Sequence, residues 1–285
     1  MDQRLQPLFT PWKIGNCEIK NRIVLTSMGG TDLFGWMEKN HFDKDGARFI
    51  MEVAKNNVGL VLPGCQPVYN PMFGQWLHKN KKMYADLKKW TPELHKTGAK
   101  LFVQLTAGFG RSFTISEMME KLYTNPALRV LSKPFMDLDK ITASASPSPN
   151  RWSDKVPSRE MTKAEIKEFV NAFAESAKML KDAGVDGVEV HAVHEGYLLD
   201  QFTLKYVNKR TDEYGVREPL PLRGRGSSGY QESLRRRLPG LPALQHNFQD
   251  QGLPSGRAPG RGLYRSRTRH GRVREGCQVS SGCRL

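Results

Sequence analysis

The chain has 285 residues and a formal net charge of +15, from 44 Lys and Arg against 29 Asp and Glu. Residues 216–285 contain 14 Arg, no Lys and 4 acidic residues, whereas residues 1–215 contain 30 basic and 25 acidic residues. The last 70 residues also contain 11 Gly and 6 Pro but no Ile, Met or Trp. Because this composition offers little apolar surface to bury, we expect an Arg/Gly/Pro-rich disordered tail over 216–285.

The cysteine content and the N-terminal sequence exclude several classes of protein. No pair among the four cysteines has the spacing of a zinc site or a redox motif, and a disulfide-linked secreted scaffold would need more of them. The N-terminus lacks the apolar run of a signal peptide. No segment approaches the roughly 18–20 apolar residues of a membrane helix. We therefore expect a soluble cytoplasmic protein with no membrane partner.

Residues 1–215 alternate short apolar runs with amphipathic patterns, which predicts strands alternating with helices. Strands are predicted at residues 22–28, 58–62, 100–105 and 187–190, and helices at residues 42–56, 84–97 and after a capping box that begins at Thr162. Such alternation favours parallel pairing through right-handed crossovers. The sequence therefore predicts an α/β fold, either half of an eight-stranded β/α barrel or an open doubly wound sheet.

A long stretch at residues 107–158 separates the third predicted strand from the capping box. It is rich in Pro, Ser and Thr, and it is longer than an ordinary connection between elements. Such loops are usually active-site lids or disordered, so we expect irregular structure here.

Both candidate folds place functional residues just after the carboxyl ends of their strands. The densest polar cluster there is His191-Ala-Val-His-Glu-Gly-Tyr197. One helical turn would bring His194 and Tyr197 onto one face. A tyrosine can donate a proton, and histidine N–H groups can bind a substrate oxygen. The alternatives are a hydrated loop with satisfied histidines, or a metal site formed by His191, His194 and Glu195.

Other strand ends carry a glutamine and glycines. Gln104 ends the third strand; its amide requires hydrogen-bond partners, which a flavin edge or the backbone can supply. Gly29 and Gly64 follow the first two strands, where they allow close approach of a cofactor or simply form turns, the commoner explanation. Neither a dinucleotide-binding glycine motif nor a P-loop occurs in the sequence.

The arginine runs of the tail raise a second hypothesis, a nucleic-acid-binding protein. Runs at 223–226, 235–237 and 265–269 suit phosphate contacts. Aromatic residues are sparse in the tail, so stacking on single strands is weakly supported. A flavin absorbance spectrum and a salt-dependent RNA titration would separate this hypothesis from an enzyme; we expect no nucleic-acid partner.

Five segments together resemble the NADH:flavin oxidoreductases of the Old Yellow Enzyme family. They are residues 8–15, 20–24, 104–111, 191–202 and 208–215. The segments Ala107 to Arg111 and His191 to Tyr197 are most similar to those of clostridial-type 2-enoate reductases, neighbours of 2,4-dienoyl-CoA reductase. The resemblance runs from about residue 6 to residue 215.

This resemblance implies an FMN-binding (β/α)8 TIM barrel, of which about the first four βα units are present. It implies that five residues line the isoalloxazine ring: Ser27, Met28, Gly29, Gly64 and Gln104. His191 and His194 would bind the carboxylate or carbonyl of the substrate, and Tyr197 would protonate its α-carbon. The insertion of Glu195 matches the 2-enoate reductase type and leaves open which histidine meets the substrate.

The resemblance further implies FMN as cofactor, NADH as reductant, and an unsaturated acid, thioester or enone as substrate. It implies no metal site in this chain. Larger relatives also carry a 4Fe–4S cluster and an FAD- and nicotinamide-binding domain after the barrel, whose sites are absent from this sequence. With half of the barrel missing, we expect the truncated chain to be unstable or to aggregate, and to bind FMN weakly or not at all.

The resemblance ends abruptly at residue 215, which suggests a change of reading frame. Codons that encode residues 216–230 can also encode, one base later, the segment with which the family continues. Codons for residues 238–254 can likewise encode a family-like segment in the same shifted frame and at the expected spacing. The sequence therefore divides into a barrel part, 1–215, and an out-of-frame tail, 216–285, that arises from a frameshift or a sequence error.

The nucleotide sequence across codons 212–220 tests this hypothesis. We expect a family-like barrel sequence to continue in a second frame after codon 215. An uninterrupted codon pattern with no recoverable barrel sequence downstream would contradict the hypothesis.

Overall fold

The structure, a computed structural model, describes residues 2–35, 38–192, 194 and 196–216. The predicted tail lies outside these residues, apart from its first residue, Val216. Among the helices of the described part, none has both the length and the apolar character needed to cross a membrane.

Short strands and helices alternate along the described chain. The strands are β1 (Trp12–Ile14), β2 (Cys17–Ile19), β3 (Val24–Leu25), β4 (Leu60–Val61), β5 (Gln66–Pro67), β6 (Tyr69–Asn70), β7 (Gln75–Trp76), β8 (Lys100–Thr106) and β9 (Gly187–Val190). The α-helices are α1 (Lys44–Lys55), α2 (Lys81–His95), α3 (Glu117–Thr124), α4 (Pro126–Ser132), α5 (Leu138–Ile141), α6 (Lys163–Asp182) and α7 (Leu198–Thr203). Short 3-10 helices occur at Gln3–Phe9, Leu77–Lys79 and Gly110–Ser112.

A parallel sheet forms the centre of the fold. Its main strands follow the order β3-β4-β8-β9, and every adjacent pair is parallel. The short strand β5 also pairs in parallel with the end of β8. Helices α1, α2 and α6 precede β4, β8 and β9 along the chain, as expected for consecutive βα units. The predicted parallel α/β fold is confirmed.

One face of this sheet packs against the helices. Leu101, Val103 and Leu105 alternate along β8 and are at most 1% exposed. They share one apolar cluster with Leu94 of α2 and Leu180 of α6, both fully buried. Side chains two residues apart lie on the same face of a strand, and burial of each leucine or valine contributes about 1.5–3 kcal/mol. The apolar alternation of β8 therefore fixes which face meets the helices.

The opposite face of the sheet is covered in part by a hairpin that the sequence patterns did not predict. Strands β1 and β2 pair antiparallel, and Ile19 of β2 packs with Leu60, Leu62 and Phe102. A side chain at Gly187 would bring its Cβ within 2.5 Å of the Phe102 ring. Glycine at this position therefore leaves the space beside β9 that the Phe102 ring occupies.

The stretch at 107–158 is more ordered than the sequence predicted. Helices α3, α4 and α5 lie within it, and each begins at a residue whose side chain accepts backbone N–H groups: Ser116, Asn125 and Asp137. Phe113, Met119, Leu138 and Val156 belong to a separate apolar cluster in this segment. The expectation of irregular structure was wrong because caps and a local core stabilise helices too short to show a clear period.

The predicted capping box at the start of α6 is confirmed. The Thr162 hydroxyl accepts the Glu165 N–H at 3.2 Å, and the Glu165 carboxylate accepts the Thr162 N–H at 2.8 Å. The Arg159 guanidinium also donates to both Glu165 oxygens, at 2.5 and 2.9 Å. These interactions, the Arg159 hydrogen bonds above all, lower the pKa of Glu165 from 4.5 to about 2.

We predict that Glu165→Gln reduces stability at pH 7 and that the difference from wild type shrinks in acid. Because folding lowers the pKa of Glu165, its carboxylate stabilises the fold above pH 4.5, and this contribution is lost as the pH falls towards 2. Urea unfolding followed by circular dichroism at pH 7, 4.5 and 3 measures the difference. Glu168→Gln, on the exposed face of the same helix, is the matched control; an equal loss at all three pH values for Glu165→Gln would contradict the prediction.

Candidate functional site

The polar residues singled out in the sequence gather at the carboxyl end of the parallel sheet. Gln104 and Glu189 lie opposite each other in the register of β8 and β9, one residue before Leu105 and Val190. The His191 N–H then donates to the Leu105 carbonyl at 2.8 Å. The backbone pairing of β8 and β9 thus continues to His191, the first residue of the segment 191–197, which we call the His-Tyr segment.

The turn after β3 presents open backbone at this end of the sheet. Met28 is 47% exposed, and Gly29 and Gly30 are exposed. A Cβ added to either glycine would meet no atom within 4 Å. Gly30 has a φ of +84°, a conformation that favours glycine. Ser27, which precedes this turn, is half-buried. The turn leaves space in which a planar ligand can approach the main chain.

Gly64 has a different environment from the other predicted cofactor residues. It is buried, and a Cβ there would collide with the Asp32 carboxylate and the Met28 carbonyl. The atoms that approach Gly64 closely are therefore, in part, those of Asp32 and Met28. The Gly64 N–H donates to the Thr31 carbonyl at 3.1 Å, which ties the ends of β3 and β4 together.

Asp32 supports this turn and was not recognised in the sequence. The residue is 4% exposed, and its Oδ2 accepts the Gly30 N–H at 3.1 Å. Oδ1 has no hydrogen-bond partner among the described residues. Burial raises the pKa of Asp32, because a charged carboxylate loses hydration there. Its only signal in the sequence was its position shortly after a glycine pair.

Gln104 makes a side-chain contact that the sequence did not predict. It is half-buried, and its amide Nε2 donates to the Glu189 carboxylate on the neighbouring strand. Backbone and a flavin edge were the partners considered from the sequence, and Glu189 adds a third. The pair places a carboxylate at the carboxyl end of the sheet beside the amide.

His191, His194 and Tyr197 form an aromatic cluster at the same end of the sheet. The ring centroids of His191 and His194 are 5.2 Å apart, and the Tyr197 centroid lies 5.5 Å from His191 and 4.6 Å from His194. His191 and Tyr197 are half-buried, and His194 is exposed. Phe109, from the segment after β8, packs edge-on against Tyr197 at 4.7 Å. The sequence prediction that these three residues act together is compatible with this geometry.

A buried carboxylate, rather than a helical turn, shapes this segment. Asp200 is 4% exposed, and its Oδ2 accepts the His194 N–H at 2.7 Å and the Gly196 N–H at 2.9 Å. The Tyr197 N–H donates to the His194 carbonyl at 3.2 Å, and Gly196 has a φ of +87°. Helix α7 begins only at Leu198. Asp200 was missed because nothing in its sequence neighbourhood marks it as buried.

The local environment sets the protonation of two nearby groups. Burial lowers the pKa of His191, and the neighbouring His194 lowers it further; a neutral imidazole can donate one hydrogen bond and accept another. Burial raises the pKa of the Cys65 thiol to about 12, so this thiol stays protonated at neutral pH and is a poor nucleophile. The cluster therefore suits hydrogen bonding and proton donation better than thiolate chemistry.

The metal-site alternative rested on His191, His194 and Glu195. Glu195 lies outside the described residues. Within the described part, the side chains that approach one another closely enough to bind a metal are Glu38, His41 and Asp43, and Asp43 already accepts the first N–H groups of α1. Because Glu195 is outside the described residues, the set of His191, His194 and Glu195 stays an untested alternative.

We predict that His191 titrates below the ordinary histidine pKa of 6.5 and that His194→Gln raises its midpoint part of the way back. Burial remains in this variant while the charge of His194 is removed. Titration of the ring protons by NMR measures the change. His78→Gln, in the Leu77–Lys79 helix, is the control and should leave the His191 midpoint unchanged; an unaltered midpoint in His194→Gln would contradict the assignment of this cause.

Two curated proteins illustrate the sequence similarity. The chain is 39% identical over 222 residues to cinnamate reductase of Clostridium sporogenes, covering 75% of this chain and 30% of that protein. It is 32% identical over 222 residues to NADPH dehydrogenase of Bacillus velezensis, covering 73% of this chain and 54% of that protein. The chain thus spans about a third to a half of the length of these relatives.

Solved structures share the fold at lower identity. Old Yellow Enzyme from Pichia sp. AKU4542 superposes with a TM-score of 0.58 at 24% identity, covering 85% of this chain and 56% of that chain. A complex of 2-naphthoyl-CoA reductase with 2-naphthoyl-CoA gives a TM-score of 0.59 at 22% identity, covering 84% and 34%. The family model of the NADH:flavin oxidoreductases and NADH oxidases matches residues 7–218. The parallel sheet with its His-Tyr cluster, the sequence relatives and this match together show that the chain belongs to the NADH:flavin oxidoreductase / NADH oxidase family.

Proposed function

We propose that this chain carries the proton-donating part of an FMN-dependent ene-reductase, which reduces the activated C=C bond of an α,β-unsaturated carboxylate or carbonyl. The observation that carries the proposal is the cluster of His191, His194 and Tyr197, whose ring centroids lie within 5.5 Å of one another at the carboxyl end of a parallel sheet. Ligands of such folds bind at this end. Family membership supports the oxidoreductase class.

The residues at the sheet end fit a planar cofactor such as the FMN isoalloxazine. Open backbone at Met28 and Gly29 provides a surface for close approach, and Ser27 and Gln104 provide polar groups at its edge. Gly64 would contribute only through its backbone, because Asp32 fills the space beside its Cα. FMN, when bound, supplies the hydride for the β-carbon of the substrate.

The histidines would bind the substrate oxygen, and the tyrosine would donate the proton. One of His191 and His194 would donate an N–H to the substrate oxygen and so stabilise the negative charge that develops on it. Burial and the neighbouring His194 lower the pKa of His191, which favours the neutral ring; a neutral imidazole still offers one N–H. The Tyr197 hydroxyl would give its proton to the α-carbon. Half-burial of His191 and Tyr197 limits access of water to the reacting atoms.

The similarity to cinnamate reductase, at 39% identity, favours an unsaturated carboxylic acid over a thioester or an enone as substrate. NADH is the proposed reductant. We do not propose a 4Fe–4S cluster or FAD in this chain. A nucleic-acid partner is not proposed either; the arginine runs that suggested one lie outside the described residues. The cytoplasmic location stays a prediction.

We further propose that residues 1–215 on their own are inactive and hold FMN weakly. The four main parallel strands described here are half the number in a closed β/α barrel. In such barrels the phosphate of a ligand is often bound after the seventh and eighth strands. Residues 216–285, as an out-of-frame tail, would not supply these strands.

A hybrid protein tests the function. We expect residues 1–215, joined to the remaining barrel of the Clostridium sporogenes cinnamate reductase, to bind FMN and to oxidise NADH anaerobically when cinnamate is added. Tyr197→Phe should lower turnover by roughly 10²–10⁴-fold, the range for loss of a general acid. Tyr206→Phe, at a residue that is 69% exposed, is the matched control.

Two results would overturn the proposals. A hybrid that binds FMN stoichiometrically but reduces no unsaturated acid, or that keeps full turnover in Tyr197→Phe, would contradict the assigned chemistry. Purification of the unfused chain with one tightly bound FMN per molecule, measured by its flavin absorbance, would contradict the proposed weakness of its FMN binding.

A further inference from the structure

Gln201 links two loops at the carboxyl end of the sheet. Its side chain is fully buried within α7. The amide Nε2 donates to the Phe109 carbonyl at 2.8 Å and to the Gly196 carbonyl at 2.6 Å, and Oε1 accepts the Arg111 N–H at 3.2 Å. One amide therefore satisfies three backbone groups from two segments that are about 90 residues apart in sequence.

Further hydrogen bonds join the same two segments. The Ser112 hydroxyl donates to the Gly196 carbonyl at 2.8 Å, and the Leu198 N–H donates to the Gly108 carbonyl at 3.0 Å. Gly110 has a φ of +53°, and a Cβ at this position would collide with Oε1 of Gln201. The loop after β8 is thus shaped around the glutamine side chain.

Both segments held by Gln201 meet at Tyr197. Gly196 immediately precedes Tyr197, and the Phe109 ring packs edge-on against the tyrosine ring at 4.7 Å. A shift of either carbonyl would move the Tyr197 backbone or the ring that confines its side chain. We infer that Gln201 is a positioning residue, which fixes the Tyr197 ring by holding the Phe109 and Gly196 carbonyls. The consequence for catalysis rests on the proposed function; the positioning itself does not.

The three hydrogen bonds at position 201 require an amide side chain. Two carbonyls require a donor and one N–H requires an acceptor, which a neutral amide provides. An ionised carboxylate offers acceptors only, so it would face the two carbonyls without a proton to donate. An apolar side chain of similar size would leave the Arg111 N–H without its acceptor. It would also remove one of the two hydrogen bonds at each carbonyl, since Ser112 donates to both the Phe109 and the Gly196 carbonyl, and lost hydrogen bonds at buried groups cost stability.

Two substitutions test the inference in the full-length chain, Gln201→Glu and Gln201→Leu. NMR with ¹³C-labelled Tyr and Phe measures the nuclear Overhauser contacts between the Phe109 and Tyr197 rings. At pH 8 we expect these contacts to fall at least twofold in both variants. As the pH falls and the carboxylate introduced by Gln201→Glu takes up a proton, the contacts should return in that variant, because a carboxylic acid can donate to one carbonyl. They should not return in Gln201→Leu.

A matched control separates positioning from general loss of stability. Thr91→Val alters a residue of α2 that is 1% exposed and bonded to the Leu87 carbonyl. It should lower the thermal midpoint without changing the ring contacts. Contacts that persist in folded Gln201→Leu, or that fail to recover with acid in folded Gln201→Glu, would overturn the inference. Because the measurement reads ring contacts and not turnover, it stands apart from the test of ene-reduction.

Discussion

The pairing of β8 on both of its edges is the constraint on which the rest of the structure depends. β4 and β5 pair with one edge of β8, and β9 pairs with the other edge over four residues. One face of β8 carries two leucines and a valine into the helical core, whereas the other carries Phe102, which packs with Ile19, and Gln104, which donates to Glu189. A register shift by one residue would exchange these faces, and it would displace His191, whose N–H is bonded to Leu105.

The electrostatics of the site follow from how each polar group is buried. Asp200 gains two N–H donors within its segment, and Gln201 satisfies carbonyls from two loops. Asp32, in contrast, keeps one carboxylate oxygen without a partner among the described residues and has a raised pKa. The buried acid of the segment 191–202 is thus stabilised by two N–H donors, whereas the buried acid beside the glycine turn has an unsatisfied oxygen, which costs stability.

The sequence predicted the four main parallel strands because each is a short, largely apolar run bounded by clear breaks, but it did not predict the two-residue strand β5. It did not reveal the β1–β2 hairpin, whose strands have three residues each and no apolar period, or the capped helices between β8 and α6. His191, His194 and Tyr197 could be selected from their chemistry alone. Gln201 could not, because its partners are defined by loops that come together only in the folded chain.

The β1–β2 hairpin has a consequence for how a barrel of this family can be divided. Ile19 packs against Leu60, Leu62 and Phe102. These four residues of the described part therefore form a small apolar cluster among themselves. Towards the carboxyl end, the groups left uncovered include Met28, which is 47% exposed, and the Gln104–Glu189 pair. An exchange of halves between relatives would therefore leave the Ile19 cluster intact, and the contacts to be rematched would lie towards the carboxyl ends of the strands.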